Sequence, residues 1–273
     1  MNTNTKPTLL ISMNTKQLAC FLLLFLGVSI CSHAEDQLLN RLRLFTSQVQ
    51  AGKMEFTNAE AGYLEISKDC STLEEKGQVY LAIVNTVGFF KRPRPDKIAE
   101  YCEQALKYPQ SILGTCRIYS VWGGSLKEQN RGVINGTGKN NTGKISEVRR
   151  LITKPWLQCL AIIQTNHVPE KRQSPPSVGG LVINGPKTDV NYQTTYQAAI
   201  KRHDEQWNAR QRVDFENELV DCRDSVINAM RQLYSLPPED WEGLKAEALE
   251  TMHDANAVDA LIEKVKQPVT TNH

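Results

Sequence analysis

Between Tyr192 and Leu233 apolar residues recur at steps of three or four with one polar interruption at Gln211: Tyr192, Tyr196, Ile200, His203, Trp207, Phe215, Leu219, Cys222, Val226, Met230 and Leu233. That period belongs to a helix and to no strand, so the segment predicts a single helix of about forty residues, ~60 Å at 1.5 Å per residue. A helix of that length must cover its apolar stripe. Pro237 and Pro238 make a turn and suit a helix start, and Trp241, Leu244, Ala248, Met252, Ala255, Val258, Ile262 and Val265 mark a returning stripe. Residues 190–267 therefore read as a long helical hairpin with a tail at 268–273. Its first arm outruns the second, which leaves Tyr192 to Trp207 to pack on preceding helices or on a partner.

The rest of the chain carries the same helical period, and no segment shows strand alternation bounded by hairpin turns. The expected fold class is all-α, with helical hairpins over 35–166 followed by the long C-terminal hairpin. Residues 36–50 form one predicted helix; Thr57 caps a second running to Lys68, with Glu60 at capping-box spacing. Two segments break the pattern. Residues 130–144 are rich in Gly and Asn, and residues 167–189 carry four prolines and three glycines, so both read as loops.

Residues 18–31, LACFLLLFLGVSIC, are apolar, follow Lys16 and precede Ser32, His33 and Ala34. The run is shorter than the ~20 residues a membrane helix needs, and small residues sit where a signal peptidase reads. This predicts a signal peptide over 1–34, a mature chain starting at Glu35, a periplasmic or secreted protein, and membrane contact only before cleavage. The whole chain has 32 Lys and Arg against 30 Asp and Glu, and the leader takes Lys6 and Lys16 with it, leaving no net charge and no electrostatic case for nucleic acid. Charge is uneven along the chain. Basic residues gather in 127–172 and acidic ones in 239–263, two segments that face one another across the fold or form a basic patch for an acidic partner.

Five cysteines follow the leader: Cys70, Cys102, Cys116, Cys159 and Cys222. In an oxidising compartment disulfides persist, and an odd count leaves at least one thiol over. Cys102 and Cys116 lie seven residues either side of Pro109, at the same height on two antiparallel helices if Pro109 sits in the turn. A bridge there is expected, with ~3 kcal/mol at most by chain entropy.

Sites for chemistry are sparse. Residues 138–144, GKNNTGK, match a phosphate-loop core, but Ile145 stands where magnesium needs Ser or Thr. No C-x-x-C, H-E-x-x-H or G-x-S-x-G occurs, and His203, Asp204 and Glu205 are consecutive on a helix and diverge. His203 reads as a core histidine on the apolar stripe. Neither catalytic residues nor a cofactor or metal is expected. Tyr119, Trp122, Arg149, Arg150 and Trp156 are of the residue types enriched at binding hot spots and form the candidate protein-binding surface.

Within 77–126, Ile98, Tyr101 or Cys102, Ala105 and Pro109 in IAEYCEQALKYP, with Leu81 and Ala82 before them, resemble a tetratricopeptide repeat. The resemblance implies close-packed helical pairs that meet at Ala82 and Ala105, and a role in binding proteins. An insertion, RPRP at 92–95, departs from the pattern. The resulting expectation is a non-enzymatic binding or scaffold module. The alternatives are a periplasmic immunity or inhibitor protein and an envelope hydrolase; an adaptor requires a groove lined by the first hairpins, a hydrolase a cleft where carboxylates converge.

Overall fold

The computed structural model describes residues 37–52, 54–89, 94–135, 142–179, 192–236 and 240–268. The leader and its cleavage position, the RPRP turn through Pro93, and residues 136–141 and 180–191 of the two loops lie outside them. Among the described residues all regular structure is helical. The elements are α1 (residues 37–50), α2 (Phe56–Lys68), α3 (Leu73–Asn85), α4 (Pro95–Ala105), α5 (Ile112–Gln129), the single turn α6 (Arg131–Ile134), α7 (Thr142–Thr165), α8 (Tyr192–Tyr234), α9 (Trp241–Met252) and α10 (Ala255–Lys266). No helix among these residues is long and apolar enough to cross a membrane.

Successive helices pack as hairpins, α3 on α4 and α5 on α7, and each hairpin leans on the next through α4 with α5 and α3 with α5. The turns follow from local chemistry. Thr72 and Glu75 form a capping box, with Glu75 N–H donating to the Thr72 hydroxyl and Thr72 N–H to the Glu75 carboxylate, at 3.1 and 2.9 Å. The box expected at Thr57 and Glu60 does not form: α2 starts two residues earlier, with Glu55 in place of Thr57 as its N-cap, and Glu60 instead accepts the Tyr101 hydroxyl at 2.6 Å. Ala82 and Ala105 are buried in one core with Ile98, Tyr101 and Cys102.

Two apolar cores meet at α5. Ile118 belongs to the first, built by α1 to α4, whereas Cys116 and Leu126 belong to the second, built by α5, α7, α8, α9 and α10. Trp122 packs against both. Trp156 lies so close across α5 that a Cβ at Gly123 would fall 2.3 Å from its ring nitrogen, which donates instead to the Ser120 carbonyl at 3.0 Å.

The forty-residue helix is present as α8, 43 residues long. Its returning arm is not one helix. His253 ends α9 in the left-handed region at φ 55°, and Asp254 caps α10 by accepting from Ala257 N–H at 3.0 Å. The stripe on α8 is not one face either. The first buried side chain is Val213, and nothing from 192–212 enters either core. At roughly 100° per residue, Tyr192, Tyr196, Ile200, His203 and Trp207 point to the side of the helix opposite buried Leu219, Val220, Ile227 and Met230. His203 is therefore no core histidine; its ring is 38% exposed.

The first part of the loop 167–189 is an ordered strap on α8. The buried amide of Asn217 accepts from Gln173 N–H and donates to Gln173 C=O, both at 2.8 Å, while Arg172 pairs with Asp221 at 2.9 Å. Arg223 donates to the Pro169 carbonyl at 2.8 Å. Of the loop 130–144, the described residues hold the turn α6 and the start of α7.

Candidate functional site

A groove runs across α1, α3, α5 and the base of α8 as two adjoining clefts that share Asn85 and Arg117. In the first, of about 520 Å³, α1 contributes Arg43, Thr46, Ser47 and Gln50, and α3 contributes Gln78 and Asn85. Arg43, Thr46 with Ser47, and Gln50 lie about one turn apart on α1, and Gln78 and Asn85 about two turns apart on α3, which places each set on one face beside the core-facing stripe. Leu42, Leu81 and Ala82 form an apolar floor. The walls are amides, hydroxyls and two guanidinium groups, with no carboxylate among the described residues that line this cleft. Arg43 makes no ion pair among the described residues.

The second cleft continues along α8 at Glu218, Asp221, Cys222 and Ser225, again one helix face. Both of its carboxylates are already matched, Glu218 by Arg117 at 2.6 Å and Asp221 by Arg172. Cys222 is half-buried between Ser120 and Arg117. Its thiol is pulled below the ordinary cysteine range: a hydrogen bond with Cys159 favours the thiolate, and the Ser120 hydroxyl and the Arg117 charge add to it, together outweighing burial.

The surface expected from Tyr119, Trp122, Arg149, Arg150 and Trp156 is not assembled. Trp156 is fully buried, and so is Arg149, whose guanidinium donates to the Leu236 carbonyl and lies 5.4 Å from the centre of the Tyr234 ring. Burial pushes the Arg149 pKa down. Tyr119 and Trp122 stack at 6.3 Å and pack on the second core. Only Arg150 is exposed, and it is paired with Glu247 at 2.8 Å. That pair also answers the charge asymmetry: it joins the basic segment to the acidic one across the α7–α9 contact. Tyr119 and Trp122 on α5 and Trp156 on α7 face the core because those two helices pack on each other.

The expected Cys102–Cys116 bridge is not formed, and both thiols are free. The hairpin around Pro109 exists, but Cys102 points into the first core and Cys116 into the second. Ile118, which faces the first core, is two residues and so about 200° from Cys116 on α5. Equal distance from Pro109 leaves the rotation of each helix free, and the two thiols enter different cores.

A separate cleft gathers Glu247, Glu250 and His253 with Arg150 and Lys154, the nearest arrangement to converging carboxylates. There Glu247 is held by Arg150 rather than left free. Among the described residues no group of three or more His, Cys, Asp or Glu is placed to hold a metal. Comparison with protein-family models, with curated proteins and with solved structures finds no match. The groove residues escaped the sequence reading because apolar periodicity marks the core side of a helix. The usable signal was the polar stripe itself, Arg43, Ser47 and Gln50 beside Gln78 and Asn85, unusual in lacking acidic residues.

Proposed function

We propose that this chain is an exported, non-catalytic protein-binding module that receives an extended, acidic segment of a partner protein along the groove of α1, α3, α5 and α8. One observation carries the reading: the α1–α3 half of the groove offers Arg43, which makes no ion pair among the described residues, and a row of amide and hydroxyl groups over an apolar floor, with no carboxylate among the described residues that line it, while Arg117 at its edge is held by Glu218. Amides and hydroxyls both donate and accept, which suits the alternating N–H and C=O groups of an extended backbone. Guanidinium groups select carboxylates, and their hydrogen bonds are charge-assisted. The stacking of helical hairpins, and the likeness of residues 77–126 to a tetratricopeptide repeat, support a binding rather than a catalytic role.

The test is a fluorescence-anisotropy titration of the full chain with a labelled oligo-glutamate peptide and an oligo-lysine peptide of equal length. Oligo-glutamate is expected to bind with an affinity that falls as salt rises, and oligo-lysine is expected not to bind. Arg43→Glu should weaken the glutamate peptide at least about tenfold, the loss of one charge-assisted contact. Equal binding of the two peptides, or no effect of Arg43→Glu, would overturn the reading. Arg43 is exposed, so the variant keeps its fold.

A further inference from the structure

Three of the five thiols that follow the leader meet where α5, α7 and α8 pack. The Cys159 and Cys222 sulfurs are 3.6 Å apart, and the Cys116 sulfur sits 4.0 Å from the Cys159 carbonyl oxygen. All three are free. Their surroundings differ in the way a redox pair requires. Cys222 opens onto the groove beside Arg117 and Ser120, while Cys159 is fully buried behind it. A disulfide needs a sulfur separation of ~2.05 Å, so closing this one takes a movement of about 1.5 Å, within reach of side-chain rotation.

We propose that Cys222 and Cys159 form a thiol–disulfide pair, with Cys222 the entering thiol and Cys159 the resolving one, oxidised by exchange with a small-molecule or protein disulfide. In the first step the Cys222 thiolate attacks one sulfur of the incoming disulfide. A mixed disulfide forms and the other sulfur leaves as a thiolate. In the second step the Cys159 sulfur attacks Cys222, the mixed disulfide breaks, and the second thiolate leaves. The two protons lost by the cysteines go to the two leaving thiolates. Two thiols are oxidised to one disulfide and one disulfide is reduced to two thiols.

The order of events follows from access and acidity. The hydrogen bond with Cys159, with Ser120 and Arg117 beside it, favours the Cys222 thiolate, whereas hydrogen bonding to Cys116 and Cys222, with burial, raises the Cys159 pKa. The product would tie α7 to the base of α8 across 63 positions of sequence, enclosing the strap. A closed loop of that size restricts the unfolded chain strongly.

The experiment incubates the full chain with oxidised glutathione, alkylates remaining thiols and maps peptides without reduction. The result expected is a linked pair of peptides carrying Cys159 and Cys222, with Cys102 and Cys116 alkylated, and a melting temperature about 10 °C above that of the reduced protein. Cys159→Ala should stop the sequence halfway, leaving glutathione on Cys222. Recovery of Cys159 and Cys222 both alkylated after oxidation would overturn the proposal, and so would a bridge from Cys159 to Cys116. Mapping of the unmodified sequence decides the matter even if Cys159→Ala folds poorly.

Discussion

The two halves of α8 are one continuous helix with opposite fates. From Val213 to Tyr234 the helix supplies Leu219, Val220, Val226, Ile227, Met230 and Leu233 to the second core, each at most 5% exposed. From Tyr192 to Arg212 no residue is fully buried, and Tyr196 and Trp207 stand 37% and 49% exposed. Propensity does not separate the halves; both carry apolar residues at the same spacing. What separates them is the presence of α5, α7 and α10 beside the second half, whose buried residues as a set face away from the side that Tyr192 to Trp207 occupy. Periodicity establishes a helix, and tertiary neighbours decide which part of it is core.

Substitutions along α8 sharpen this contrast, beginning with the greatest effect. Leu219→Asp places an unpaired carboxylate in the second core and should cost several kcal/mol, enough to abolish cooperative unfolding in a thermal melt. Asn217→Ala strips both backbone groups of Gln173 of their partner and should cost about 1–3 kcal/mol, read as a lower urea midpoint. Glu218→Ala removes only the half-exposed pair with Arg117 and should cost under about 1 kcal/mol. Trp207→Ala should leave stability within about 0.5 kcal/mol, since the ring covers no core. A loss at Trp207 comparable to that at Asn217 would break the contrast by showing that the first half is packed after all.

The same division marks what could be read in the residues. The all-α class and the length of α8 follow from the spacing of apolar residues, which is a local property. The break at His253 was hidden because Met252, Ala255 and Val258 keep helical spacing across it. Only Asp254, a good N-cap, betrays the new start. Cys102 and Cys116 misled because equal distance from a turn fixes height and leaves rotation free. Trp156 and Arg149 looked like surface anchors because residue type cannot report that a glycine at 123 and the Tyr234 ring are waiting to receive them.

The groove claim and the contrast within α8 come together in one measurement, hydrogen exchange of the full chain followed by mass spectrometry with and without the oligo-glutamate peptide. In the free protein, 213–234 should exchange slowly and 192–212 quickly, because only the former is held by a core. On adding peptide, new protection is predicted in α1 from Arg43 to Gln50, in α3 from Gln78 to Asn85 and around Arg117, with 192–212 unchanged. Protection that appeared on 192–212 and left α1 and α3 untouched would contradict the account and move the binding site to the exposed half of the long helix.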